Sequence, residues 1–365
     1  EAGRYSLSGK NYPTWSGPDV SGFANLVFLG YVRSDGKVGT ANHWIVVPLV
    51  FCENRNVEFM RDAFKDELGY GKGNEYRQQV RTLVDSWRRG INGDTALQHA
   101  RTKLFENIDG IKFLTHHLGC GATPYDARML CGLLAGYINH PNVAGATVLS
   151  LGCQDAQIDI LMAEIEKRNP SFNKPLVILE QQKSGTEKSL MTSAIDRTFK
   201  HLTDVNRQKR QPSPLSQLTI GVECGGSDGF SGLSANPAMG FAADLTVGLG
   251  GKVILSEFPE LCGVEQELIE RCVDSEIAER FIKIQRDYAA KAKAVGAGYH
   301  MNPSPGNIKD GLITDAMKSA GAVKKGGTSP VVDVLDYPEM VTKPGLSLLC
   351  TPGSDVESTT AIVGS

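Results

Sequence analysis

From Leu218 to Leu249 the chain reads as a strand, a glycine turn and a helix in direct succession. Leu218, Ile220 and Val222 supply alternating apolar positions, and the run then breaks into Cys224-Gly225-Gly226-Ser227-Asp228-Gly229. Ser234 to Leu249 has the pattern of a helix, with Ser234 or Asn236 as its cap and Pro237 in its first turn. A strand that feeds a helix belongs to a parallel sheet with crossover connections. The arrangement sets Cys224, Ser227 and Asp228 at the carboxyl end of a strand, where open α/β sheets keep their ligands. Glycines there let the backbone approach a bound group closely.

The same arrangement recurs along the chain. Trp44–Val50 is a continuous apolar run, the pattern of a strand buried on both faces, and it ends at Phe51-Cys52-Glu53-Asn54. Ile111–Leu114 runs into Thr115-His116-His117-Leu118-Gly119-Cys120-Gly121. Gly145–Leu151 ends in Gly152-Cys153, Leu176–Leu179 in Glu180, Val253–Leu255 in Ser256-Glu257, and Leu346–Leu349 in Cys350-Thr351-Pro352-Gly353-Ser354-Asp355. Helical spacing separates most of these runs, as at Ala127, Leu130, Leu134 and Ile138, or Ile277, Phe281, Ile284 and Tyr288. The expected fold is a doubly wound α/β class with mainly parallel sheets in two Rossmann-like lobes. Its expected divisions are a linker over 1–22, a first lobe over 23–212 and a second over 213–365. The polar stretch Gln208–Ser216 marks the boundary between lobes, 69–93 reads as a polar surface insertion, and a helix is expected near Thr95–Phe105.

Composition removes several classes of function. A net charge of −3 with both signs interspersed leaves no basic footprint for nucleic acid and no polybasic patch for a membrane. No apolar run approaches the length of a span, and Glu1–Ser6 carry no signal-peptide core, so a cytoplasmic protein is expected. Homodimerisation is expected by base rate. The eight cysteines include no CxxC pair and do not form a disulfide scaffold in a chain of this size. Cys131, Cys262 and Cys272 fall within helical patterns and read as small core residues. Cys52, Cys120, Cys153 and Cys224 fall at strand ends, with His116, Glu180 and Glu257 in equivalent positions. If all the strands share one sheet, these groups line one edge. Thiolate, imidazole and carboxylate together suit Fe²⁺ or Zn²⁺ better than Mg²⁺. Adjacent residues of a strand point to opposite faces, so only one of His116 and His117 faces that edge, and His116 is the closer to the strand. Arg55, Lys309, Lys324 and Lys325 could neutralise an anionic substrate.

A family resemblance rests on Gly30-Tyr31-Val32-Arg33-Ser34-Asp35-Gly36-Lys37-Val38-Gly39-Thr40-Ala41-Asn42, His116-His117-Leu118-Gly119-Cys120-Gly121, Ser150-Leu151-Gly152-Cys153, Glu223–Gly232, Ser234-Ala235-Asn236-Pro237-Ala238, Ser304-Pro305-Gly306-Asn307 and Thr351-Pro352-Gly353-Ser354-Asp355. In these segments the chain resembles the altronate and galactarate dehydratases, a family of sugar-acid hydro-lyases, and its pattern lies nearest the altronate members. The resemblance implies dehydration of a sugar acid, D-altronate to 2-keto-3-deoxy-D-gluconate in the first instance, assisted by a divalent metal, Fe²⁺ or alternatively Mn²⁺. It also implies a β-clip domain ahead of the linker and a further strand-loop after residue 365. On this reading Cys120, Cys153, Cys224, Glu257 and His116 form the pool of metal ligands. Asp228, Lys309 and His116 are the acid–base candidates. Asn42, Ser227, Asn307, Thr351 and Ser354 are candidates for binding the substrate. The alternatives are galactarate dehydration, the large subunit of a sulfolactate sulfo-lyase, an aconitase-like [4Fe–4S] hydro-lyase, a structural zinc site in a reductase-like protein, and a non-catalytic subunit binding metal or sugar acid.

Overall fold

The computed structural model describes residues 6–7, 14–70, 74–90, 103–121, 123–351, 353 and 356–365. In chain order these form β1 (Val27–Val32), β2 (Val38–Gly39), β3 (His43–Pro48), α1 (Asn54–Glu67), α2 (Asn74–Arg89), β4 (Gly110–Phe113), α3 (Pro124–Asn139), β5 (Val143–Ser150), α4 (Ile158–Arg168), β6 (Leu176–Glu180) and α5 (Glu187–Val205). They continue as β7 (Gln211–Pro214), β8 (Thr219–Val222), α6 (Ala235–Gly248), β9 (Lys252–Leu255), α7 (Glu265–Arg271), α8 (Ser275–Ala294), α9 (Pro305–Lys309), α10 (Asp315–Ala322), β10 (Val331–Leu335), β11 (Gly345–Leu349) and α11 (Val356–Gly364).

Two four-stranded parallel sheets carry the fold, ordered β4-β3-β5-β6 and β10-β11-β9-β8. The strands of the first alternate between two cores, as a pleat of period two requires. Trp44 and Val46 pack with Val57 and Met60 of α1 and Leu202 of α5, while Ile45 and Val47 pack with Leu130 and Leu134 of α3 and Leu161 of α4. A sheet covered on both faces must be apolar throughout, which explains the unbroken Trp44–Val50 run. In the second sheet Val253, Leu255, Leu346 and Leu348 face Phe281 of α8, and Ile254 and Leu349 face Ala361 of α11. The lobes meet where α11 packs on α3, with the Tyr137 hydroxyl donating to the Thr360 carbonyl at 3.2 Å.

Two stretches read as irregular hold secondary structure. The boundary stretch holds a strand: β7 pairs antiparallel with β1, which pairs with β2, and this small sheet bridges the chain's entry to and exit from the first lobe. The polar stretch 69–93 contains the helix α2, whose Tyr76, Val80, Leu83 and Trp87 are exposed. Those apolar residues fall at helical spacing, but the charge between them masked the pattern. The helix expected near Thr95–Phe105 lies mostly outside the described residues, and Phe105 sits in a buried loop. Within the stretch read as a linker, the Trp15 indole donates to the Thr328 hydroxyl at 3.2 Å, tying residues ahead of the first lobe to the second. No helix among the described residues is long and apolar enough to cross a membrane.

Candidate active site at the carboxyl edge of the second sheet

β9 ends at Leu255, and the chain bends through Ser256 and Glu257 into a short 3₁₀ turn, Phe258–Leu261. Phe258 and Leu261 are driven into the core below, and they draw Glu257 and Glu260 in with them, leaving these carboxyls 2% and 3% exposed. β8 runs beside β9 with Val222 opposite Leu255, so the residues after both strands emerge together. Cys224 therefore comes alongside, half-buried. A thiol sulfur and two carboxylate oxygens, from Cys224, Glu257 and Glu260, lie within 4.8 Å of one another.

Two lysines seven residues apart reach this trio from α10 and the turn that follows it. Lys318 Nζ is 2.7 Å from Glu260 Oε1, and Lys325 Nζ is 2.5 Å from Glu257 Oε1. Lys318 also donates to Asn302 Oδ1 at 3.1 Å and Asn307 Oδ1 at 3.3 Å, and Asn307 Nδ2 donates to the Ser227 carbonyl at 3.2 Å. One network thus joins the glycine turn, the Asn302–Asn307 loop and α10. The Lys325 loop is itself fixed by Asp244 of α6, whose carboxylate accepts from the Thr328 and Ser329 amides at 2.9–3.0 Å.

Burial pushes the Glu257 carboxyl up, against the pull of Lys325. Glu260 Oε2 is buried and has no hydrogen-bond partner among the described residues. A buried carboxylate oxygen without a donor is costly, and a cation removes that cost. The donor set of one thiol and two carboxylates suits a divalent metal, which would share those carboxylates with Lys318 and Lys325. Cys224 and Glu260 open onto a pocket of about 480 Å³, walled on one side by Ser227, Asn302, Asn307 and Lys318. The lining also includes Tyr288 and Tyr299, their rings stacked 5.8 Å apart, and the Tyr299 hydroxyl donates to Gln285 Oε1 at 3.0 Å. Burial pushes the Tyr299 phenol well above its ordinary range, which keeps it neutral.

Of the residues the sequence pointed to, Cys224, Glu257, Ser227 and Asn307 come together here. Glu260 and Lys318 complete the site and were missed, although Glu257-Phe258-Pro259-Glu260 spaces its carboxylates three residues apart, as a single turn brings them together. The single edge assumed from the sequence is two edges, because the strands divide between two sheets. Cys120, Cys153 and Cys52 are exposed on the first lobe, and among the described residues none joins a group of three close ligating atoms.

His116 lies on that first lobe, and its ring is fully engaged. Nδ1 accepts the Leu118 amide at 3.1 Å, which leaves Nε2–H to donate to the Pro48 carbonyl at 2.8 Å. Burial holds its pKa below the ordinary value, and no lone pair is left for a metal or a substrate proton. Asn42 is wholly buried ahead of β3, bonded to Arg33, Asn107 and Asp109, so it braces the fold. Asp228 is exposed and its Oδ1 accepts the Phe230 and Ser231 amides at 2.8 and 2.7 Å, which shapes the glycine turn. Lys309 is exposed on α9, outside the pocket lining. The Thr351 hydroxyl is buried against Gly353 and Ser358, and Ser354 lies outside the described residues.

Comparison with known families accounts for nearly the whole chain. Residues 30–206 match the second domain of D-galactarate dehydratase/altronate hydrolase, and residues 215–365 match the C-terminal domain of D-galactarate/altronate dehydratase. The chain belongs to this dehydratase family. The sequence is 30% identical over 92% of its length to altronate dehydratase of Escherichia coli, and 31% identical over 93% to that of Bacillus subtilis. Galactarate dehydratase (L-threo-forming) of Escherichia coli is 34% identical over 59% of this chain and 42% of its own length. The chain spans 59% and 60% of the two altronate dehydratases. In this chain the Cys224–Glu257–Glu260 trio falls within the residues matched to the C-terminal domain.

Proposed function

We propose that the protein dehydrates a sugar acid, D-altronate in the first instance, to a 2-keto-3-deoxy acid in the pocket beneath the glycine turn. The observation that carries this reading is the convergence of the Cys224, Glu257 and Glu260 ligating atoms within 4.8 Å beside that pocket. The family resemblance directs it to sugar acids.

Loss of water from a 2,3-dihydroxy acid requires a proton to leave C2, charge to build on the carboxylate, and the C3 hydroxyl to depart. A divalent ion, with Fe²⁺ or Mn²⁺ suiting the donor set, would be held by Cys224, Glu257 and Glu260 and would supply Lewis-acid polarisation of substrate oxygens. The protein's own residues do the rest. Ser227, Asn302 and Asn307 offer hydrogen bonds to hydroxyls along one wall. The neutral tyrosine pair offers an apolar face to the carbon chain. Proton transfer falls to Lys318, which lines the pocket, in place of Asp228, Lys309 and His116.

The test is an anaerobic assay with Fe²⁺ or Mn²⁺ and a panel of altronate, galactarate and sulfolactate, following keto-acid product and sulfite. Turnover of altronate alone establishes the reading. Release of sulfite from sulfolactate, or no turnover of any acid by metal-loaded protein, overturns it.

A further inference from the structure

A second cavity, of about 170 Å³, lies between the lobes at the amino end of β8 and β9, the opposite end of these strands from Cys224, Glu257 and Glu260. Lys252 opens β9, Lys37 directly precedes β2, and both line this cavity. No aspartate or glutamate is among its described lining residues. The protein matches the two ammonium groups poorly. Lys37 Nζ lies 3.8 Å from Asp35 Oδ2, beyond hydrogen-bond reach, and 3.9 Å from Met340 Sδ, a weak acceptor. The half-buried Lys252 ammonium has no hydrogen bond or ion pair among the described residues. Burial, and after it the charge of Lys37, lower the Lys252 pKa. Two like charges thus share one cavity, with no carboxylate side chain in its lining to join them.

Neutral donors line the same cavity. The Asn142 amide donates to His140 Nδ1 at 3.0 Å, so the proton of the neutral ring sits on Nε2 and makes it a donor. Burial and the neighbouring Lys174 hold the His140 pKa down to about 4, so the ring stays neutral. Thr219, which opens β8, adds a hydroxyl. The volume is below the range of about 300–1,000 Å³ of sites for drug-sized ligands, so a small ion suits it. We propose that this cavity binds a small dianion, phosphate or a short dicarboxylate, held by the Lys37 and Lys252 ammonium groups with His140 and Thr219 as neutral donors. Lysine is a compact point charge, so two of them accept a tetrahedral or a planar oxyanion alike. The cavity also reaches Gly136 of α3 and Gly364 of α11, where the lobes meet, so the bound dianion converts a repulsion at that seam into an attraction. The site stands apart from the proposed dehydration, which takes place at the other end of the strands.

The experiment is a set of thermal melts of wild type, Lys252→Met, Lys37→Met and Lys309→Met, titrated with phosphate, succinate or chloride at equal ionic strength. Lys309 is exposed on α9 and controls for a lost surface charge. Phosphate or succinate should raise the wild-type melting midpoint beyond chloride, and the one that acts alone identifies the ligand as a phosphoryl group or a dicarboxylate. Lys252→Met and Lys37→Met should each weaken the apparent affinity roughly 10–100-fold, the range for a lost hydrogen bond to a charged group, while Lys309→Met responds as wild type does. In chloride, Lys252→Met should melt no lower than wild type, because it removes a repulsion and no partner. Hydrogen exchange should show phosphate or succinate protecting both the Lys37 turn and the start of β9. Stabilisation no greater than that by chloride overturns the proposal, as does a dianion response that Lys252→Met and Lys37→Met leave intact. A Lys252→Met midpoint well below wild type in chloride also overturns it, because Lys252 would then already have its partner in the protein.

Discussion

Lys325→Met is the perturbation whose cost follows most directly from the site's geometry. It removes the ammonium 2.5 Å from Glu257 Oε1 and leaves a carboxyl whose side chain is 1% exposed without a counter-charge. Breaking a buried pair on one side costs about 3–5 kcal/mol. That range applies to an ionised pair, and burial already lifts the Glu257 pKa to about 8 beside Lys325, so at pH 7 the folded carboxyl holds its proton. The variant then loses mainly a buried hydrogen bond, about 1–3 kcal/mol, or a fall of roughly 2–12 °C in the melting midpoint for a lobe of this size. The sign with pH follows. Without Lys325 the folded carboxyl's pKa rises further, so the deficit relative to wild type should be level below pH 7 and grow as pH rises through about 8.

Thermal melts of wild type and variant from pH 5 to 8, with and without Mn²⁺, read all of this. If Glu257 is a metal ligand, Mn²⁺ replaces the missing ammonium. At a hundred times its dissociation constant it should return about 2.7 kcal/mol to the variant, and the variant should bind Mn²⁺ more tightly than wild type. A deficit that shrinks steadily from pH 7 to 5 would mean Glu257 stays ionised beside Lys325, which would refute the reasoning that burial governs its proton. A deficit that Mn²⁺ leaves untouched would remove Glu257 from the metal site.

Cys224→Ser and Glu260→Gln should each lower bound Fe²⁺ or Mn²⁺ and turnover together, as metal analysis beside the activity assay would show. His116→Gln, Cys120→Ser and Cys153→Ser should keep the wild-type metal content. His116→Gln should also cost about 1–2 kcal/mol of stability from its two lost backbone contacts, measured by denaturant titration. Gly327→Ala should be poorly folded, because φ is +65° there and an added Cβ would lie 2.3 Å from Asp244 Oδ1. A Gly327→Ala melting midpoint within a few degrees of wild type would show that the Lys325 loop can shift without cost.

The alternation of apolar runs with helical spacing was sufficient for the fold class, because both periods are local properties of the backbone. The run from Trp44 to Val50 already implied a strand covered on both faces, and Trp44 and Ile45 indeed enter different cores. Cys224 and Glu257 could be singled out because each follows a strand directly, and strand ends have predictable positions. What remained hidden depended on how the strands were shared out. Nothing local records that β3, β4, β5 and β6 form one sheet and β8, β9, β10 and β11 another, so Cys120 and Cys153 seemed to share an edge with Cys224. His116 and Asn42 have the chemistry of a ligand and a binder, but their fate depended on the Pro48 carbonyl and the Arg33 guanidinium arriving beside them. Glu260 and Lys318 are ordinary surface residue types that became site residues only when the 3₁₀ turn after β9 and helix α10 packed together. The sequence alone determined the elements and the chemistry at their ends, because these follow from neighbours along the chain. The tertiary structure alone decided which ends meet, because 58 residues separate Glu260 from Lys318 and only the packing of α10 on the second sheet brings the two charges within 2.7 Å.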